Sequence, residues 1–281
     1  MNLLEAIILG IIQGLSEFLP ISSTGHLTLA GKLMNLISAE NPEHWTAFIA
    51  VIQLGTLLAV LIYFRNDLIH IVKDFISDNL KRKSFKEQSP NSKMGWYLIL
   101  ATIPVGVIGL SLKDIIEGVL TKKLYVISGS LIGLAIILAI AEKFGKFNRK
   151  HENIKWYDAL IIGVAQSFAL IPGSSRSGTT ITAALFLGFN RETAARFSFL
   201  MSIPAVLASG LLELYQSLEY INGEAALNLV AATIAAAVVG YISIEFLLRY
   251  LKKKSTMIFI VYRIAIGLII LFLISRGIIT A

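Results

Sequence analysis

The feature that most constrains this chain is the recurrence of apolar runs about twenty residues long. Residues 45–64 (WTAFIAVIQLGTLLAVLIYF) contain no charged side chain, and residues 257–276 (MIFIVYRIAIGLIILFLISR) contain only Arg263 and Arg276. A helix rising 1.5 Å per residue needs about 20 such residues to cross a hydrocarbon core of about 30 Å. Further runs at 94–112, 123–141, 197–215 and 226–247 bring the spans to six. Lipid offers the backbone no hydrogen-bond partners, so a spanning segment is a helix or a strand of a closed barrel. Barrel strands alternate in polarity, and these runs do not. The expected class is therefore all-α: a polytopic membrane protein with six transmembrane helices in a single integral membrane domain, 1–281. Charged residues make up only 15% of the chain, against about 25% in soluble domains, which excludes a soluble enzyme and a disordered chain. The absence of cysteine removes a disulfide framework, a thiol nucleophile and Cys-ligated metal. The N-terminal MNLLEAIILG has no basic region, so a cleaved signal peptide is not expected.

Two further regions are apolar but interrupted. Residues 3–36 contain Gln13, Glu17, Pro20, Ser22, Ser23, Thr24 and His26. Residues 156–189 contain Gln166, Pro172, Ser174, Ser175, Arg176, Ser177, Thr179 and Thr180. A helix usually ends at or before the residue preceding proline, which places breaks near Leu19 and Ile171. Each region reads as a re-entrant helical hairpin that enters the membrane and turns back. The two regions resemble each other when Pro20 is laid over Pro172 with one residue deleted, so that both carry two serines after the proline. Three spans follow each hairpin. Three is odd, so copies whose hairpins do not cross must enter from opposite faces. That is an inverted-topology repeat, of about 1–141 and 156–281, with its site where the copies meet.

Charge supports this arrangement. Segments 65–93, 142–156, 190–196 and 248–256 carry 18 Lys/Arg, and the opposite-side segments, with Arg276, carry four. The first set belongs in the cytoplasm and both termini outside. The net charge of +7 thereby reflects topology, and no nucleic acid is expected. Residues 67–80 form an amphipathic pattern suited to the inner membrane surface. Gly129 and Gly133 form a GxxxG pair, read as dense helix packing in preference to a dimer seam; a homodimer stays open.

The polar clusters carry the chemistry. Gln13 and Glu17 are four apart and share a helix face. A carboxylate at membrane depth is expensive and marks a functional site: a metal ligand, a general acid or base, or a structural cap. Ser22, Ser23 and Thr24 suit a helix N-terminus, which is also an anion site. His26, one turn on, suits a base, a nucleophile or an orienting group. In the second cluster, the planar donors of Arg176 suit phosphate. Gly173 allows close backbone approach, and Ser175, Ser177 and Thr180 add hydroxyls. The lysine of a Walker loop is missing. An Arg176–Glu17 pair that locks the repeats is the structural alternative, compatible with catalysis. Arg263, in a span, is read as structural. Together the hairpins offer a positive clamp, a base or nucleophile and an acid, the set that phosphoryl chemistry needs. Access through a lipid bundle points to a lipid phosphate.

The segments QGLSEFLPISSTGH and LIPGSSRSGTT resemble the two signature regions of the bacterial undecaprenyl-diphosphate phosphatase family of the bacitracin-resistance type. VIQLGTLLAV at 51–60 and FSFLMSIP at 197–204 extend the likeness over the whole chain. The family's (E/Q)xxxE pattern reads Gln13 to Glu17, and PGxSRSxxT reads Pro172, Gly173, Ser175, Arg176, Ser177 and Thr180. The resemblance implies hydrolysis of undecaprenyl diphosphate to the monophosphate, a divalent cation (Mg²⁺ or Ca²⁺), and bacitracin resistance. It also implies a multi-pass protein of the bacterial cytoplasmic membrane whose site opens to the outer, periplasmic face. On this reading Glu17 and Gln13 hold the cation, and Glu17, Ser23, His26 and Arg176 are catalytic. Gln13, Ser22, Thr24, Gly173, Ser175, Ser177 and Thr180 bind substrate. Serine attack, histidine attack and activated water stay open. The competing reading is a lipid-phosphate transporter or flippase, since inverted repeats and broken helices are transporter features. An ion channel is disfavoured, because no charged ring or filter-like sequence is present.

Overall fold

The computed structural model describes residues 1–37, 42–112, 123–217 and 223–279. Eleven α-helices occur among them: α1 (Leu3–Phe18), α2 (Ser23–Leu33), α3 (Pro42–Tyr63), α4 (Arg65–Leu80), α5 (Pro90–Ser111), α6 (Leu124–Phe144), α7 (Trp156–Ser167), α8 (Arg176–Phe186), α9 (Arg191–Ser217), α10 (Gly223–Leu251) and α11 (Met257–Ser275). Six are long and apolar enough to cross a membrane: α3, α5, α6, α9, α10 and α11. Lys113 and Lys122, counted on the less basic side, lie outside the described residues.

Several helices run past their apolar windows. α5 begins at Pro90, capped by the Ser89 side chain on Ser92 N, and proline at the first turn loses no hydrogen bond. α9 begins at Arg191, with Asn190 Oδ1 accepting from Thr193 N. Segment 190–196, which connects apolar runs, is thus mostly helix, as is the start of 248–256. The reason is physical: a helix continues into polar surroundings once capped, whereas hydropathy reports only its lipid-length portion.

The four basic segments gather at one end of the bundle. Arg196 pairs with Asp67 (2.6 Å) and Lys252 with Glu192 (3.4 Å), while Arg191 and Thr256 both bond the Glu142 carboxylate. Arg149 holds Asp158 at the start of α7 (2.5 Å) and pairs by backbone with Gly188 and Asn190. At this end α4 packs on α5, with Phe75 seated where a side chain on Gly95 would collide. Its Ile69, Val72, Ile76 and Leu80 are exposed, as an interfacial helix requires.

Packing pairs the helices in a matched pattern. α1 lies along α10 and α7 along α5; α3 lies along α9, and α6 along α11. Glycine makes the first two approaches close. A Cβ on Gly10 would collide with the Ala232 carbonyl, and one on Gly163 with the Ala101 carbonyl. The expected dense packing at Gly129 and Gly133 is not found. No neighbouring helix comes within 4 Å of a Cβ at either position, because α6 turns that face outward.

Candidate active site

The site forms where the two interrupted regions break. α1 ends at Phe18 with Leu19 extended; α7 ends at Ser167, followed by a short 3₁₀ turn (Phe168–Leu170) with Ile171 extended. Both ends fall beside a proline, which disfavours helical geometry in the residue before it.

The second helix of each pair starts from an unusual serine. Ser22 has φ 78° and ψ 98°, Ser175 φ 68° and ψ 110°. Non-glycine residues rarely adopt positive φ, and such strain concentrates at functional sites. Each serine caps its helix: Ser22 Oγ accepts from Gly25 N (3.2 Å), and Ser175 Oγ from Gly178 N (3.1 Å). This geometry corrects the register in which Pro20 lay over Pro172. Ser22 corresponds to Ser175, Gly25 to Gly178, Gln13 to Gln166 and Gly10 to Gly163, an ungapped offset of 153 residues. The prolines sit one position apart, because the cap, and not the proline, fixes where the helix begins.

In this register Ser23 and Arg176 occupy the same place, the first residue of α2 and of α8, and both converge on Glu17. Ser23 Oγ donates to Glu17 Oε2 (2.7 Å), and Arg176 Nη2 to Oε1 (2.8 Å). Gln13 Nε2 also donates to Oε2 (3.0 Å) and approaches Thr56 Oγ1 on α3 (3.5 Å). Glu17 is only 7% exposed, so the pairing answers the cost of a buried charge. Position 170, at the same offset from Glu17, is leucine, and Gln166 keeps both amide atoms buried without a partner. The two breaks therefore build one carboxylate site.

The other predicted residues divide by what they touch. His26 Nδ1 bonds the Ser22 carbonyl (2.7 Å) and its Nε2 the Tyr262 hydroxyl (2.7 Å). Thr24 is half-buried on the first turn of α2. Ser177 Oγ donates across the breaks to the Leu19 carbonyl (3.1 Å) and lies 3.2 Å from Ser175 Oγ. Thr180 Oγ1 bonds the Arg176 carbonyl (2.8 Å) and Ser198 Oγ (2.6 Å). Gly173 has φ +88°, and a Cβ there would collide with the Ile127 carbonyl. Ser175, Ser177 and Thr180 thus spend their hydroxyls in setting the breaks.

Arg263 is fully buried on α11 and holds both breaks from behind. It donates to the carbonyls of Pro20 (3.3 Å), Gly173 (3.2 Å), Ser174 (2.9 Å), Ser130 (3.4 Å) and Leu131 (3.2 Å). Gly178 is small because Arg263 Nη1 occupies the space a side chain would need. Carbonyl acceptors leave no trace in sequence, so this role, like those of Tyr262, Thr56 and Ser198, was not legible there.

Of the groups gathered on Glu17, two keep a buried atom without a partner: Gln13 Oε1, an acceptor, and Arg176 Nη1, a donor. Buried polar atoms without partners are rare and mark a ligand, ion or catalytic role. The first suits a cation and the second an anion. Among the described residues no cluster of three His, Asp or Glu is present, so a divalent ion here would draw most ligands from water and substrate, as Mg²⁺ does beside phosphates.

Fold and site together define an all-helical, multi-pass membrane protein with a buried carboxylate–hydroxyl–guanidinium centre suited to phosphate. Residues 6–269 match the family described as bacitracin resistance protein BacA, and the chain belongs to that family. It is 57% identical over 277 residues to an undecaprenyl-diphosphatase of Syntrophobacter fumaroxidans, covering 98% of this chain and 99% of that protein. Undecaprenyl-diphosphatases of Chlorobium phaeovibrioides (51%) and Chlorobaculum tepidum (49%) match over 99% of this chain and of their own length.

Proposed function

We infer that this protein hydrolyses undecaprenyl diphosphate to undecaprenyl phosphate and inorganic phosphate. The lipid carrier is thereby recycled for cell-wall synthesis, and the diphosphate that bacitracin sequesters is depleted. The observation that carries the mechanism is the Ser23–Glu17 hydrogen bond of 2.7 Å, a hydroxyl in contact with a carboxylate able to take its proton. Glu17 removes the Ser23 proton as Oγ attacks the terminal phosphorus. The bridging P–O bond breaks, and undecaprenyl phosphate leaves. Water then cleaves the phosphoserine to release phosphate and restore Ser23. Arg176 binds the phosphoryl oxygens through Nη1 and stabilises charge as it spreads in the transition state. Ser22 and Thr24 present the α2 N-terminus to the anion, while Ser175, Ser177, Thr180 and Gly173 hold the α8 N-terminus in place. Glu17 and Gln13 Oε1 would hold Mg²⁺ or Ca²⁺, which supplies charge neutralisation for the diphosphate.

The wider arrangement follows from the same features. The strained caps at Ser22 and Ser175, the constant offset and the exchanged packing of α1 on α10 and α7 on α5 support an inverted repeat with two re-entrant hairpins. The basic end faces the cytoplasm of a bacterial inner membrane, and the first hairpin enters from outside, where the site opens.

The test is phosphate release by purified protein in detergent, with and without EDTA. Detergent removes any gradient. Metal-dependent release fits the hydrolase; lipid-phosphate binding without release would favour a flippase.

A further inference from the structure

We propose that Tyr262 is a positioning residue of this site, holding the Nε2 edge of His26, whose Nδ1 is held by the Ser22 carbonyl. The proposal rests on the family resemblance's expectation that His26 takes part in the reaction.

The assignment follows from donor and acceptor chemistry. His26 Nδ1 lies 2.7 Å from the Ser22 carbonyl oxygen. A carbonyl only accepts, so Nδ1 carries hydrogen. In a neutral imidazole Nε2 is then an acceptor. Its partner is the Tyr262 hydroxyl at 2.7 Å, which donates. The rings lie nearly parallel, 7° apart with centroids 5.5 Å apart. The Ser22 carbonyl therefore sets the tautomer, and Tyr262 holds the ring's Nε2 edge and orientation through its hydroxyl.

The placement is also fixed in the fold. Tyr262 precedes Arg263, whose donors reach the carbonyls of Pro20, Gly173 and Ser174 in both breaks. Ser22, which receives the Nδ1 hydrogen, is the strained cap of α2. Tyr262 is 39% exposed and His26 half-buried, so the pair forms an accessible edge of the centre, while Glu17 lies inside. The consequence is specific. The His26 lone pair available to substrate is on Nε2, reached when Tyr262 yields it, and a proton taken up there remains beside a hydroxyl that can accept it in a hydrogen bond. Without this partner the ring would be held at Nδ1 alone, leaving its Nε2 edge unheld.

Tyr262→Phe keeps the ring and removes the hydroxyl. Its kcat for undecaprenyl diphosphate is expected to fall about tenfold, with KM within about twofold, a fraction of a full acid–base contribution. Because Tyr262 acts through His26, adding Tyr262→Phe to His26→Ala should lower kcat no further. A second readout is independent of turnover. The chain has four histidines, so ¹⁵N-histidine spectra of the detergent-solubilised protein, assigned by loss of the signal in His26→Ala, report the ring directly. Wild type should show a protonated Nδ1 and a hydrogen-bonded Nε2 acceptor; Tyr262→Phe should move the Nε2 signal to that of a free nitrogen. An unchanged Nε2 signal, or additive kcat losses in the double variant, would overturn the proposal. Wild-type kcat in His26→Ala would instead overturn the reading beneath it, with the spectra still reporting the pairing.

Discussion

Glu17 receives three hydrogen bonds on two oxygens, from Ser23, Gln13 and Arg176, so a single substitution there separates charge from shape. In the proposed mechanism Ser23→Ala removes the nucleophile and should lower phosphate release by at least about 1,000-fold, while lipid-diphosphate binding persists; a quenched reaction should trap phosphate on Ser23 only in the serine protein. Arg176→Lys keeps the charge but loses the fork that bonds Glu17 and leaves Nη1 free, and kcat should fall about 100-fold. Gln13, Glu17 and Arg176 were legible in the sequence because polar groups at membrane depth are costly enough to need a reason. The part played by Ser198 was not, since a hydroxyl in an apolar span reads the same whether it bonds its own helix or, as here, Thr180.

At the level of elements, the breaks were legible from Pro20 and Pro172, but their correspondence was not. A positive φ at serine is a backbone property that residue identity does not announce, and it shifts the match by one position. Ser175→Ala removes the cap on Gly178 N while keeping the strained Cβ, and should cost about 1 kcal/mol in denaturant unfolding. Arg263→Met removes the side-chain donor from the Pro20, Gly173 and Ser174 carbonyls of the two breaks, while Ser130 and Leu131 keep their bonds within α6. At about 1–3 kcal/mol for a buried unsatisfied group, the loss should reach at least about 3 kcal/mol and disorder both breaks together. Arg263→Lys should recover less than half of it. The connection after α4 offers a pH test. Lys83, then the Ser89 amide, hold the Asp78 carboxyl below its ordinary value. The stability this contributes is full above the ordinary carboxylate range and is lost as pH falls through the lowered value. Hydrogen exchange across residues 81–93 should stay slow to lower pH in wild type than in Lys83→Ala.

Across the whole molecule, six spans were readable from hydropathy because lipid-length apolar runs have no other use. Helix ends were not, because capping and ion pairs such as Arg191–Glu142 decide them. The GxxxG pair on α6 misled for a related reason: small residues permit close packing but do not oblige it. The proposed orientation is directly testable, since the chain has no cysteine and single-cysteine variants need no background removal. In intact cells a membrane-impermeant maleimide should label Arg276→Cys but neither Lys86→Cys nor Lys253→Cys; the reverse pattern would invert the topology.

The most direct measurement compares Glu17→Gln, Arg176→Ala and their combination with wild type for phosphate release from undecaprenyl diphosphate, with unfolding followed on the same preparations. One site built from both breaks predicts that each single variant, still folded, loses at least about 1,000-fold, and that the double variant loses little more than either, as for residues acting as a unit. Near-wild-type release from either folded single variant would contradict it.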